Sequence, residues 1–152
     1  MKLVLQRVSE ASVSVDGVVA GSIGPGLVVF LCIEKGDTQA VADRYAFKVA
    51  SLRIFDDTAG KMNRSLQEVN GEVLLISQFT LAADAEKGRR PSFDRAAPPE
   101  IALPLYNYFG QKLKETGVSV VQGVFQAMMK IALVNDGPVT LVLGKAAMSN
   151  EQ

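Results

Sequence analysis

The first part of the chain alternates apolar and polar residues in short segments separated by turn sequences. Residues 2–8 and 12–15 both alternate, and the Asp-Gly pair at residues 16–17 is a strong signal for a tight turn between strands. The alternation resumes at residues 18–23, and a Gly-Pro-Gly sequence ends it. The continuous apolar run at residues 27–33 is typical of a central strand buried on both faces. The pattern predicts hairpin-linked strands beside a buried central strand.

Two later segments have the apolar spacing of an amphipathic helix. The first covers residues 38–52, where Asp37 or Thr38 is available as the N-cap, and the second covers residues 99–116. The remaining apolar segments predict further strands. These lie at residues 53–55, 72–81, 118–122, 130–134 and 139–143.

Strands outnumber helices, and tight turns join many of them. This favours an α+β fold in which a curled antiparallel or mixed β-sheet, approaching a barrel, carries two main helices. The length of 152 residues is enough for one hydrophobic core without metals or disulfides. We expect a single domain over residues 1–144 and a frayed tail over residues 145–152.

Charge and hydropathy exclude some classes of protein. The 16 basic and 16 acidic residues cancel, so the molecule has no strong overall field to attract nucleic acid, and RNA contacts need a local basic patch. No apolar run approaches the roughly 20 residues that span a bilayer. The beginning of the sequence also lacks a cleavable leader pattern. We expect a cytoplasmic protein without membrane contacts.

The sequence contains one cysteine and no histidine. Cys32 lies inside the apolar run, where the pattern favours a small buried core residue over a nucleophile. The absence of histidine removes the most common general base and the most common metal ligand. We therefore expect a mechanism without imidazole, cofactor or metal site.

Two short sequences combine polar residues with backbone features that suit a functional site. The sequence SQFTL at residues 77–81 stands where an apolar strand ends, although Ser77 and Thr80 alone are explained by hydrogen bonds to nearby backbone groups. The sequence NDGPVT at residues 135–140 predicts a turn between two strands. Its glycine and proline also offer rigid backbone carbonyls with little side chain in front of them.

SQFTL and NDGPVT, in this order and separated by a predicted helix and strand, resemble the two signature motifs of the D-aminoacyl-tRNA deacylases, also described as the D-tyrosyl-tRNA deacylase family. These are homodimeric hydrolases that release D-amino acids from tRNA. The resemblance extends from residue 1 to about residue 143. Its other matching sequences are QRV at 6–8, ASV at 11–13, RIF at 53–55, GKMN at 60–63, PSF at 91–93, GVF at 123–125 and Met129.

The resemblance implies a homodimer in which each active site is shared. The Gly137-Pro138 peptide bond, cis in the family, would reach from one subunit into the active site of the other. Its backbone carbonyls would hold the amino group and the Cα hydrogen side of a D-residue, and an L side chain would collide with them. Because glycine has no side chain, the same geometry implies activity on glycyl-tRNA. Arg7, Phe125 and Met129 are implied as wall residues of the substrate site.

The resemblance also implies how the ester bond is hydrolysed. Backbone N–H groups around Phe79 and Thr80 would stabilise an oxyanion, and the 2′-hydroxyl of the terminal ribose would help to activate water. Thr80 has no histidine or lysine near it in sequence to activate it as a nucleophile, so we expect it to position the substrate. Ser77 and Gln78 are expected to orient the adenosine or the strand end.

Two further features bear on substrate binding: a basic stretch after the first motif and one residue that departs from the family pattern. Lys87, Arg89 and Arg90 follow the first motif closely enough to contact acceptor-stem phosphates, although a solvated loop explains them as well. Gln126 occupies a position where the family usually has a small residue, which changes the expected shape of the pocket wall. A non-catalytic nucleic-acid-binding dimer on the same scaffold is the alternative to a hydrolase of D-aminoacyl-tRNA.

Overall fold

The computed structural model describes residues 1–144, and the predicted tail at residues 145–152 lies outside the described residues. The described chain forms strands, two α-helices and one short 3₁₀ helix at Phe79–Ala82. In chain order the elements are β1 (Lys2–Val15), β2 (Val18–Ile23), β3 (Gly26–Cys32), α1 (Gln39–Ser51), β4 (Phe55–Asp56), β5 (Met62–Arg64), β6 (Glu72–Ser77), α2 (Pro99–Glu115), β7 (Ser119–Gln122) and β8 (Lys130–Leu143).

β1 is one 14-residue strand, so the prediction of separate strands at residues 2–8 and 12–15 was wrong. Leu3 and Leu5 pack with the helices, whereas Ala11 and Val13 belong to the core on the other face of the sheet. The strand changes face because its pairing with β8 shifts register around Val8. This shift interrupts the alternation without ending the strand.

The sheet is mixed and curled, as predicted. β1 pairs antiparallel with β2 and β3 along one edge and with β8 along the other, while β3 and β6, and β6 and β7, pair in parallel. A Cβ on Gly21 of β2 would lie 2.5 Å from the side chain of Val121 in β7. Since β2 and β7 are the two ends of the main strand order, this contact shows that the sheet curls toward a closed barrel.

The hydrophobic core lies on both faces of β3, which confirms the prediction for the central strand. Leu27 and Val29 pack with Phe109 of α2 on one face, whereas Val28 packs with Leu74 of β6 on the other. Each such side chain stabilises the fold by about 1.5–3 kcal/mol through burial. β3 therefore contributes side chains both to the core inside the curled sheet and to the core between the sheet and the helices.

Both helices begin where the sequence predicts. The Oγ1 atom of Thr38 accepts a hydrogen bond from the N–H of Val41, so Thr38 is the N-cap of α1. α2 begins at Pro99, a position at which the missing proline N–H removes no intrahelical hydrogen bond. The beginning of α2 faces the loop that follows β7 and forms one side of the groove described below.

Two strand predictions near the signature motifs were wrong. β6 ends at Ser77, four residues before the predicted end, and the chain then enters the 3₁₀ helix. Residues 135–138 are not a turn between two strands, since β8 continues through them from Lys130 to Leu143. The chain keeps its direction there because both halves of β8 pair with β1. No helix within residues 1–144 has the length and hydropathy needed to cross a membrane.

Candidate active site

The first motif forms a sharp corner at the end of β6. Ser77 is the last residue of β6 to pair with β3, and the N–H of Gln78 still donates to the carbonyl of Leu31. The backbone N–H groups of Phe79 and Thr80 open the 3₁₀ helix and have no hydrogen-bond partner within residues 1–144. The corner therefore presents two adjacent N–H donors, the geometry needed to bind an oxygen that gains negative charge.

The side chains of the corner are held in place by contacts with neighbouring residues. Nε2 of Gln78 donates to the Thr80 hydroxyl oxygen, which leaves the hydroxyl proton of Thr80 free to donate. The ring of Phe79 is 57% exposed and packs edge-to-face against Phe93, with ring centroids 5.3 Å apart. Phe79 thus links the corner to the loop between the 3₁₀ helix and α2.

Cys32 lies beneath this corner and is buried, as predicted for a core residue. Its Sγ lies 3.5 Å from the carbonyl oxygen of Phe79, within reach of a weak hydrogen bond. Burial raises the pKa of the Cys32 thiol to about 11, and the nearby Glu34 carboxylate adds to the shift. The thiol is therefore protonated near neutral pH and supports the corner without being a nucleophile.

An apolar groove of about 580 Å³ opens beside the corner. It lies between the first motif, the beginning of α2 and the loop after β7. This arrangement brings together six residues singled out in the sequence. They are Ser77, Gln78, Phe79, Phe125, Gln126 and Met129.

The wall of the groove formed by residues 125–129 is held by contacts with neighbouring elements. The ring of Phe125 lies 5.7 Å from that of Tyr106, whose hydroxyl donates to the carbonyl of Leu75. A Cβ on Gly123 would meet Sδ of Met129 at 2.9 Å. The wall is therefore anchored to β6 and α2.

Gln126, singled out in the sequence as a departure from the family pattern, has a special backbone conformation. Its φ of 64° lies in the left-handed region, which costs roughly 1–2 kcal/mol for a residue with a side chain. The conformation gives a physical reason for a small residue there. In this chain, the glutamine side chain is exposed and borders the groove.

The second motif forms a bulge in β8. Between the Val8–Asn135 and Gln6–Thr140 pairs, β1 advances two residues and β8 advances five, so three residues of β8 are left over. The Gly137-Pro138 peptide bond within this bulge is cis. Gly137 has a φ of 131°, a region that strongly favours glycine. The bulge thus exposes a stretch of backbone with small or cyclic side chains.

Arg7 ties the bulge to the rest of the fold. Its Nε donates to the carbonyl of Asp136 at 3.0 Å, and its Nη1 donates to the carbonyl of Ile54 at 2.9 Å. Nη1 also lies 3.3 Å from a carboxylate oxygen of Asp56. A Cβ on Gly137 would lie only 3.0 Å from Nη2. Arg7 is 8% exposed and does not line the groove, so the structure places it beneath the bulge instead of in the groove wall.

The corner and the bulge do not meet within one chain. Ser77 pairs with Leu31, which pairs with Leu3, whereas the bulge lies opposite residues 6–8 of β1. Four residues along a strand correspond to roughly 13 Å, and the two motifs also lie on opposite edges of β1. The described lining of the groove contains no residue of the bulge. One chain therefore presents two separate halves.

The predicted basic residues lie on an exposed loop beside the corner. Asp84 and Ser92 form an isolated β-bridge at the base of this loop, and Lys87, Arg89 and Arg90 lie at its tip. None of the ion pairs found among residues 1–144 involves these three side chains. Their charges are available to a polyanion.

Sequence reasoning missed the residues that support the two motifs. Asp56 and the carbonyl of Ile54 fix Arg7, while Gln6 bonds to Thr140 in the bulge. Phe93 packs on Phe79. Gln6, Ile54 and Phe93 belong to the QRV, RIF and PSF matches, whereas Asp56 lies just after RIF and had no signal in the sequence. Residues 1–144 contain no cluster of three or more His, Cys, Asp or Glu side chains arranged to hold a metal ion.

The chain is similar over nearly its whole length to curated D-aminoacyl-tRNA deacylases. D-aminoacyl-tRNA deacylase of Geotalea uraniireducens is 58% identical over 143 residues, which cover 94% of this chain and 92% of the relative. The corresponding protein of Geobacter sulfurreducens is 55% identical over 150 residues and 99% of both chains.

Two solved structures share the fold. One, described as c-Myc DNA Unwinding Element Binding Protein, has a TM-score of 0.90 and 40% identity over 97% of this chain and 100% of the other. The other, described as a probable eukaryotic D-amino acid tRNA deacylase, has a TM-score of 0.82 at 17% identity over 93% and 97% of the two chains. The profile described as D-Tyr-tRNA(Tyr) deacylase matches residues 4–144. With nearly the whole described chain matched and relatives more than half identical, this protein belongs to the D-Tyr-tRNA(Tyr) deacylase family.

Proposed function

We propose that this protein hydrolyses the ester bond of D-aminoacyl-tRNA to free D-amino acid and tRNA, and spares L-aminoacyl-tRNA. Membership of a deacylase family and the names of its relatives support the reaction. The observation that carries the proposal is the combination of two free N–H donors at a corner whose residues 77–79 line an apolar groove with a tethered backbone bulge. With this substrate the protein would act in the cytoplasm.

The bulge is the proposed selector for chirality. Two subunits would form a homodimer in which Gly137 and Pro138 of one subunit project into the groove of the other. Their carbonyls would accept from the amino group of a D-residue, and an L side chain would collide with them. The separation of corner and bulge within one chain supports sharing between subunits. Glycyl-tRNA would pass the same selector because glycine has no side chain to reject.

The corner is the proposed catalytic half. Water attacks the ester carbonyl carbon, and the N–H groups of Phe79 and Thr80 stabilise the resulting oxyanion. One such donor is worth about 3 kcal/mol in hydrolases. The ester C–O bond then breaks, and the released ribose oxygen takes up a proton. The adjacent 2′-hydroxyl of the substrate activates the water, in keeping with a chain that has no histidine.

The remaining site residues position the substrate. Phe125 and Met129 would pack against the aminoacyl end in the groove, whereas Ser77 and Gln78 would orient the terminal adenosine. Thr80 is positioned by its hydrogen bond from Gln78 and acts without forming an acyl-enzyme. The loop that carries Lys87, Arg89 and Arg90 would contact acceptor-stem phosphates.

The test compares the two enantiomers of one substrate. Purified protein is incubated with D-tyrosyl-tRNA or L-tyrosyl-tRNA in EDTA, and the released tyrosine is measured over time. We expect rapid release of D-tyrosine and retention of the L-ester. Equal inertness toward both substrates, or equal hydrolysis of both, would contradict the proposal.

Nucleic-acid binding without turnover is the second candidate function. The free charges on the basic loop favour it, as does the 40% identical structure whose description names DNA binding. It predicts binding that is lost on neutralising Arg89 and Arg90 and unaffected by substitutions at Phe79 or Pro138. Binding titrations in the same buffer as the hydrolysis assay distinguish the two functions.

A further inference from the structure

Three polar side chains close the bulge in β8 on the face of the sheet opposite Arg7. Oδ1 of Asn135 accepts from the N–H of Val139 at 3.2 Å, and Nδ2 of Asn135 donates to Oγ1 of Thr140 at 3.0 Å. Nε2 of Gln6 donates to the same oxygen at 3.2 Å. The first and last residues of the bulge are therefore tied to each other and to β1.

Strand pairing alone does not fix the bulge. The Val8–Asn135 and Gln6–Thr140 pairs flank it, and residues 136–139 have no paired residue on β1 in the described ladder. Their position depends on side chains, with Arg7 holding the carbonyl of Asp136 and Asn135 holding the N–H of Val139. Gly137 and Pro138 lie between these two attachments.

Side-chain direction places the attachments on the two faces of the sheet. Arg7 follows Leu3 and Leu5 in the alternation of β1, and those leucines pack with the helices. Gln6 points the other way and meets Thr140, its partner in the ladder. Removing one attachment leaves the bulge held from one face only.

We propose that Asn135 and Thr140 are positioning residues that set the discrimination between D- and L-substrates by holding the Gly137-Pro138 backbone still. The inference rests on the proposed deacylase function. Rejection of an L side chain by sterics is only as strong as the resistance of the colliding backbone to displacement. A bulge freed from Asn135 and Thr140 yields to the L side chain, whereas the N–H donors at Phe79 and Thr80 are untouched.

The experiment measures kcat/KM for D-tyrosyl-tRNA and L-tyrosyl-tRNA with Asn135→Ala and Thr140→Val. Thr140→Val keeps the side-chain shape but removes the hydroxyl that accepts both hydrogen bonds. We expect the D-to-L ratio to fall by about tenfold or more, since displacements near 1 Å change rates by up to about a hundredfold. Thr140→Ser retains the hydroxyl and should stay within about twofold of wild type. Asn107→Ala, an exposed position on α2, is the matched control for Asn135.

The ratio of the two rates is independent of how much of a preparation is folded, because both substrates are tested on the same sample. A residue with a merely structural role would lower both rates and leave the ratio unchanged. If Asn135→Ala does not fold, Asn135→Asp, which loses the donor to Thr140 but keeps an oxygen for Val139, takes its place. Ratios within about twofold of wild type in the Asn135 and Thr140→Val variants would overturn the inference. Wild-type protein that itself fails to discriminate would instead refute the proposed function.

Discussion

The corner at the end of β6 and the bulge in β8 both interrupt regular strands, but they differ in whether their backbone groups are hydrogen-bonded. At the corner, the N–H groups of Phe79 and Thr80 have no partner among the described residues. At the bulge, the carbonyl of Asp136 and the N–H of Val139 are both bonded to side chains. Free donors suit a site that binds a changing charge, whereas bonded backbone suits a surface that must not move. The contrast supports the proposal that the corner carries the chemistry and the bulge the selection.

The largest effect is expected from deleting one corner donor. Phe79→Pro removes the N–H of residue 79 at the first position of the 3₁₀ helix, where proline is tolerated. We expect kcat for D-tyrosyl-tRNA to fall by about 10²–10³-fold. Phe79→Ala is the control, because it removes the ring and keeps the N–H. Equal losses in the two variants would show that the ring, and not the donor, matters at the corner.

A methyl group in the bulge should have the next largest effect. Gly137→Ala places Cβ 2.9 Å from Cγ2 of Val139 and 3.0 Å from Nη2 of Arg7, at a φ that disfavours alanine. We expect kcat/KM for the D-substrate to fall by about a hundredfold while the fold is retained. Gly117→Ala has a similar backbone strain but open space around Cβ, so its activity should stay at the wild-type level. Full activity of Gly137→Ala would show that Gly137 is not part of the active site.

Arg7→Lys tests whether the hydrogen bonds from Arg7 to the bulge contribute to stability and activity. Lysine keeps the charge but lacks the planar fork that reaches the carbonyls of Asp136 and Ile54 together. We expect a loss of about 1–3 kcal/mol in the free energy of unfolding. The initial rate of D-tyrosyl-tRNA hydrolysis should fall by about tenfold. Urea denaturation and initial rates measure the two effects, and Arg53→Lys on the nearby surface should change neither. A stable but fully active Arg7→Lys protein would show that the bulge needs no guanidinium.

The smallest effect is expected outside both regions, on the basic loop. Replacing both Arg89 and Arg90 by alanine should raise KM severalfold and leave kcat unchanged, because phosphate contacts bind the tRNA without touching the ester. The slope of log(kcat/KM) against log[salt] should fall by about one per lost contact. Lys114→Ala at the far end of α2 is the control. An unchanged salt slope would mean that the loop does not contact RNA.

The helices and the central strand were predictable because their signals are local. Thr38 caps α1, Pro99 begins α2 and residues 27–33 form a continuous apolar run. The bulge was not predictable from its residues, since an Asn-Asp-Gly-Pro sequence suits a chain reversal equally well. The long partner strand β1 decides between the two by pairing on both sides of it.

The corner was misplaced for a similar reason. The apolar pattern continues to Leu81, but β3, the partner of β6, ends at Cys32 and leaves nothing to pair with beyond Gln78. The position of Arg7 beneath the bulge was not predictable from its place in the QRV sequence. Its burial beneath the bulge depends on carbonyl groups about 50 and 130 residues away along the chain.

Complementation between two impaired variants tests most directly whether the corner of one subunit and the bulge of the other form one active site. Phe79→Pro and Gly137→Ala chains, carrying different carboxyl-terminal tags, are unfolded together, refolded and purified through both tags as mixed dimers. If the site is shared, one of the two sites combines an intact corner with an intact bulge, and we expect about half of the wild-type activity per dimer. Activity no higher than that of the two parent variants, or failure to form a dimer, would contradict a shared site.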